Sequence, residues 1–237
     1  MKSLRILQWD TILLVVCIFV IVAAAIAVYG LLYFMGYGTH PAGILASGFI
    51  LLGAAGVTLV AIVIILGNAI RHFWRKEIGT GLSRIAFSLT LVLIWFIPLV
   101  LLRSDPFAQG FYAKVSQSVD AEELLIWADE QFSLPRDNAP TLVMIGYTDR
   151  EGNPTTYPEG ALTRKPPDSL KELGPSYTLH FYTDGEGKQI VDIVWGGGFG
   201  HWGLRVGVSD LNEYNRTIDG TLIEWEPRLW VLGMHGG

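Results

Sequence analysis

The chain reads as a membrane α-helical protein with three transmembrane helices, joined to an α+β extracytoplasmic domain on a mainly antiparallel sheet. Three observations predict this class. Long apolar runs are confined to the first half, basic residues alternate in position around them, and the second half shifts to short apolar segments with strand periodicity.

The runs Thr11 to Met35, Ala42 to Ala69 and Ile85 to Leu102 contain no Asp, Glu, Lys or Arg. At about 1.5 Å per helical residue each can cross a hydrocarbon layer of roughly 30 Å, the third only just. Spans at about 11–35, 42–69 and 85–102 therefore make up a membrane domain, residues 1–103. Lys2 and Arg5 precede the first span, and Arg71, Arg75, Lys76 and Arg84 lie between the second and third. The loop Gly36 to Pro41 carries no charge. Positive residues beside spans stay on the cytoplasmic side, so the amino terminus and the second loop are expected inside. Three crossings then place the carboxy-terminal half outside, periplasmic or extracellular. The first run opens like a signal peptide, with Ala23, Ala24 and Ala25 resembling a cleavage site. It continues through Ile26, Val28, Leu31 and Phe34, beyond the roughly 7–15 apolar residues of a signal core, and reads as an uncleaved anchor.

Charge divides along the same line. The first 103 residues hold seven basic and two acidic side chains, and the remainder ten and twenty. An acidic exported domain repels nucleic acid and anionic lipid, which excludes nucleic-acid binding and leaves a basic extracytoplasmic protein as the complementary partner. The single cysteine, Cys17, lies in the first span. A disulfide framework and a thiolate metal site are thus excluded, and the exported domain must rely on an ordinary apolar core.

Transporters and pumps place ionisable residues or broken helices at mid-membrane. Here the interruptions are Thr58, Ser88, Thr90 and Pro98, with Asn68 near an end, so transport by this chain alone is not expected. Ala23 with Ala27, Ala42 with Ala46, and Gly43 with Ser47 recur at four-residue spacing, and Gly53 and Gly56 thin the second span. Such spacing lets helix backbones approach closely. It serves packing among the three spans or docking to other membrane protein subunits in the lipid bilayer.

After Arg103, Asp105 and Pro106 have the form of an N-cap and first helical residue, with Phe107, Phe111 and Val115 at four-residue intervals. A membrane-proximal linker helix, 104–119, follows. Its Phe107, Phe111 and Tyr112 suit an aromatic belt at the membrane interface or a cover over the globular domain. The extracytoplasmic α+β domain, 120–237, opens with a helix capped by Asp120. Glu123 stands at the reciprocal capping position, and Ala121, Leu124, Leu125, Ala128 and Phe132 form one stripe. Strands are expected at Leu142–Tyr147, Tyr177–Thr183, Gln189–Trp195, Trp202–Val208, Thr221–Glu226 and Arg228–Leu232, divided by turn-forming residues. Asp168 to Leu173, closed by Gly174 and Pro175, reads as a turn or two of helix. Helices followed by hairpin-linked strands argue an antiparallel sheet.

Three features carry chemistry. Residues Trp195 to Gly203 concentrate aromatics and glycines, with Gly198, Gly200 and Gly203 in G-x-G-x-x-G spacing. A dinucleotide fingerprint needs a helix after the glycines, whereas Leu204, Val206 and Val208 alternate like a strand. The segment is then a tight connection whose tryptophans fill the core, or a ligand rim in which Trp195, Gly198, Gly200, His201 and Trp202 meet a sugar or peptide. Secondly, a five-residue loop Asp184 to Lys188 sets His180 opposite Asp192. The pair is either a polar contact on the solvent face of the sheet, alongside Thr178 and Tyr182, or an imidazole oriented by its carboxylate for proton transfer or metal binding, with His201 as a third metal ligand. A four-residue loop would pair His180 with Val191 instead. Thirdly, Asn215-Arg216-Thr217 is a glycosylation acceptor pattern. No nucleophile motif and no close His-x-x-x-His pair occurs, and no motif implies a cofactor.

The leading expectation is therefore a non-catalytic accessory or interaction subunit of a membrane assembly, presenting its acidic domain to a partner. The alternative is a membrane-tethered enzyme or small-ligand binding protein using the loop 196–203 with His180, Asp192 and His201.

Overall fold

The computed structural model describes residues 2–38, 44–133, 141–146, 162, 164–184, 187–196, 201–209 and 222–235. The chain forms two compact units, one from Met1–Leu32 with Ala42–Ser104 and the other from Tyr33–Pro41 with Asp105–Gly237.

The first unit is helical: α1 (Lys2–Gly38, whose last residues belong to the second unit), α2 (Ile44–Trp74), α3 (Ile78–Ile94) and α4 (Phe96–Leu102). Three segments, Thr11–Gly38, Ala46–Trp74 and Ile78–Pro98, are long and apolar enough to cross a membrane. The helices outrun the apolar runs because backbone hydrogen bonding continues past the residues that hydropathy marks. The third differs most from expectation. It begins at Ile78 rather than Ile85, so Arg84 stands inside α3 and is buried at 1% exposure. It also breaks at Trp95, since Pro98 has no N–H for the carbonyl of Ile94 and its ring crowds that turn. The buried face of α3 is Gly81, Arg84, Ser88 and Leu91, one side of a helix at three- and four-residue spacing. Ala54, Thr58, Ala61, Ile65, Ala69 and His72 form the matching buried stripe of α2. Cys17 of α1 joins Ala61, Ile65 and Leu91 in one apolar cluster.

The second unit is a helix layer on a sheet. Its elements are α5 (Pro106–Ser118), α6 (Ala121–Phe132), β1 (Thr141–Ile145), a short 3-10 helix (Asp168–Leu173), β2 (Tyr177–Thr183), β3 (Gln189–Gly196), β4 (His201–Gly207), β5 (Leu222–Glu226) and β6 (Leu229–His235). All pairings are antiparallel in the order β1-β2-β3-β4-β6-β5, so β6 inserts between β4 and β5. The caps follow the sequence. Asp105 accepts from the amide of Ala108 at 3.0 Å with Pro106 as the first helical residue, and Asp120 accepts from the amides of Glu122 and Glu123. Glu123 is 3.9 Å from Arg164 and makes no reciprocal capping bond.

Alternation along the strands gives the sheet two distinct faces. Val143, Tyr177, Leu179, Phe181, Val191, Ile193, Trp195, Trp202, Leu204, Val206, Leu229 and Val231 are buried and lie under the helices. Phe107 packs edge-on against Trp202 and Phe111 against Trp195, at 5.6 and 5.9 Å between ring centres, while Trp127 of α6 meets Phe181. Of the two roles open to Phe107 and Phe111, this is the cover over the sheet; they are 2% and 0% exposed, and Tyr112 is half-buried. On its other side α5 meets the end of α1. A Cβ at Gly110 would fall 1.9 Å from the carbonyl oxygen of Tyr33, and one at Gly36 would fall 2.0 Å from that of Phe107. Only glycine allows this crossing, which the Tyr37 hydroxyl extends by donating to Gln117 at 2.8 Å.

Candidate functional site

The second face of the sheet carries the polar residues. The register pairs Thr183 with Gln189 and His180 with Asp192, as the five-residue loop requires. The turn is closed by the Asp184 amide donating to the Lys188 carbonyl, and the Lys188 amide donating to the Asp184 carboxylate at 2.8 Å.

One strand further on, Asp192 faces Arg205. Arg205 donates through Nε to Oδ1 and through Nη2 to Oδ2, both at 2.7 Å, a bidentate pair with side chains 6% and 13% exposed. The Tyr182 hydroxyl donates to the same carboxylate at 3.2 Å, and its ring lies beneath the guanidinium at 5.9 Å. Ile190 and Trp230, both buried, continue the face with Tyr182 and Leu222 packed against them. The carboxylate expected to orient His180 is therefore engaged by Arg205, and His180 itself is exposed. His201 is exposed four residues from Arg205 along β4, about 13 Å at roughly 3.3 Å per residue. Among the described residues no group of three His, Cys, Asp or Glu is placed to hold a metal ion.

Sequence reasoning placed Tyr182 on this face and missed Arg205. Tyr182 lies two residues from His180 on the same face, which alternation alone reveals. Arg205 depends on how many residues close the β3–β4 connection, and that count is not set by local turn chemistry.

Trp195 and Trp202 are 2% and 4% exposed, so their rings serve the core. Tyr177 closes over Trp195 at 5.3 Å, and a Cβ at Gly174 would sit 2.7 Å from the Trp195 ring. Gly203 is buried in β4 opposite Val194. Gly198 and Gly200, and the glycosylation pattern at Asn215, lie outside the described residues. The indole N–H of Trp202 is buried with no acceptor among the described residues.

A shallow cleft beside α6 is lined by Glu123, Trp127, Arg164, Lys165, Pro166, Pro167 and Asp168. Its charges largely compensate one another: Arg164 is 3.9 Å from Glu123 and 3.8 Å from Glu130, and the Trp127 indole donates to the Arg164 carbonyl at 3.1 Å. A hydrogen bond from Lys171 and its positive charge hold the Asp168 carboxyl below the ordinary range. Ion pairing and packing account for this cleft, and it brings together no acid, base and nucleophile. The chain matches no known family, no curated protein and no solved structure.

Proposed function

We propose that the protein is a three-span membrane protein, with its amino terminus and α2–α3 turn cytoplasmic and its sheet unit outside, acting as a non-catalytic accessory subunit. The sidedness rests on the basic residues around the spans and the acidic excess beyond them.

One observation carries the docking role: of the small residues singled out in the sequence, Ser47 is buried, but Ala23, Ala27, Ala46, Gly53 and Gly56 are left exposed. A Cβ added at Gly53 or Gly56 would meet nothing within 4 Å. Contacts among the three helices use a different stripe, so a surface suited to close backbone approach remains for another subunit. A photoreactive side chain at Ala27, compared with one at exposed Leu93, tests this in intact membranes. A discrete protein adduct from position 27 with only lipid adducts from 93 is expected, and lipid adducts alone from both would remove the basis for the reading.

One observation favours a second reading, small-ligand binding at the β3–β4 end. The Trp202 indole N–H is buried without an acceptor among the described residues, a desolvation cost that an oxygen-bearing ligand would relieve. Ligand-dependent melting shifts that vanish in Trp202→Phe would support it.

A further inference from the structure

The turn between α2 and α3 is a built, cationic feature. The Glu77 amide donates to the His72 carbonyl at 3.0 Å and the Lys76 amide to the Phe73 carbonyl at 2.9 Å, the two bonds of a Schellman motif. Lys76 occupies its left-handed position, φ 61°, where glycine is the usual residue. Arg71 and Arg75 share one helix face at four-residue spacing, and all three cations are exposed. The one carboxylate in the turn, Glu77, takes the His72 ring nitrogen at 2.5 Å. Among the described residues, no acidic side chain pairs with Arg71, Arg75 or Lys76. Between the arginines Trp74 stands 85% exposed, with Ile70 and Ile78 also outward.

Three cations with no acidic pairing partner among the described residues, around an exposed indole at the end of two helices long and apolar enough to cross a membrane, match one ligand chemistry. We infer that the α2–α3 turn binds the phosphate headgroup of an anionic phospholipid. Arg71 and Arg75 contact the phosphate oxygens, Lys76 adds a third positive charge from the tip of the turn, and Trp74 settles at the level of the headgroups. The two guanidiniums supply paired donors that suit a phosphate group. Glu77, the carboxylate of the turn, is hydrogen-bonded to His72 rather than paired with any of the three cations. An acidic protein partner would use the same charges, but would leave the chain with lipids at bulk composition on reconstitution.

This inference rests on the membrane reading, and the test separates the two. The full chain is reconstituted into nanodiscs of phosphatidylcholine with a minor fraction of phosphatidylglycerol, and the lipids retained after delipidation are quantified. Carbonate extraction of native membranes is run in parallel. The wild type is expected to resist extraction and to retain phosphatidylglycerol at least about fivefold over its share of the bilayer, the equivalent of the roughly 1 kcal/mol that one basic residue contributes near an anionic surface. R71Q/R75Q should lose that excess, and K76G should weaken it while easing the left-handed residue and leaving the helix content intact. Retention at bulk composition by the wild type, or an unchanged excess in R71Q/R75Q, overturns the site. Release into carbonate overturns the membrane reading itself.

Discussion

Several side-chain hydrogen bonds in the sheet unit reach far along the chain, whereas those of Thr58, Thr90 and His72 in the helical unit stay local. In the helical unit Thr58 donates to the carbonyl of Ala54, Thr90 to that of Ala86, and His72 meets Glu77, partners four or five residues away. In the sheet unit Arg205 holds Asp192 across 13 residues, Ser176 bonds Gly146 across 30, Trp127 reaches Arg164 across 37, and Arg228 clasps Asp129 across 99. An α-helix closes its backbone hydrogen bonds within itself, whereas a sheet gains its partners only as the whole layer assembles. The sheet unit should accordingly respond to single polar substitutions far more strongly than the helical unit.

The largest contrast is expected at Asp192. Asp192→Ala leaves a buried guanidinium without its carboxylate and should cost about 3–5 kcal/mol. Denaturant unfolding of the full chain in mild detergent, followed by the near-ultraviolet signal of the buried tryptophans, measures it. The double replacement D192L/R205M should recover most of that loss, because it removes both desolvated charges. An equal loss in single and double variants would show that packing, rather than charge pairing, dominates this face.

A smaller effect is expected where α5 crosses the end of α1. Gly110→Ala forces a methyl group against the Tyr33 carbonyl and should cost about 1–3 kcal/mol, read in the same transition. Gly53→Ala, with open space around it inside α2, should instead stabilise by up to about 1 kcal/mol through helix propensity and provides a control of opposite sign. Smaller again is Thr90→Val in the helical unit. It removes a hydroxyl that serves only its own helix, so helical circular dichroism on heating should shift by less than about 0.5 kcal/mol equivalent.

The smallest response concerns pH at the exposed 3-10 helix. The folded carboxyl of Asp168 is held lower than in the unfolded chain, first by the Lys171 hydrogen bond and then by its charge. Its contribution is therefore present above the unfolded value and is lost as pH falls through the folded one. Solvent screening keeps it slight. Carboxyl titration by NMR should give Asp168 a midpoint below that of a free aspartate, and Lys171→Met should return it to the ordinary range.

The same division decides what could be read from the residues in advance. Local rules sufficed for the caps at Asp105 and Asp120, for β2 at Tyr177–Thr183, and for the His180–Asp192 register, because each depends on neighbours or on a short loop. Hydropathy marked where apolar length suffices for a span but not where the helix begins, so Arg84 was placed between spans although α3 encloses it. It also could not register the break that Pro98 imposes at Trp95. The position of β6 between β4 and β5, and the Arg205 partner of Asp192, were hidden because both depend on pairings distant in sequence. Trp195 and Trp202 could have served as ligand rim or as core. Only the neighbours Phe107, Phe111 and Tyr177, brought in from α5 and β2, decided for the core.

The account turns on sidedness, and cysteine labelling in sealed cells tests it most directly. With Cys17→Ala as background, exposed Glu122 of α6 and exposed Arg75 of the α2–α3 turn are each replaced by cysteine and treated with a membrane-impermeant maleimide. The account predicts labelling of E122C on intact cells and of R75C only after permeabilisation. Labelling of R75C from outside, with E122C protected until the membrane is opened, would contradict it.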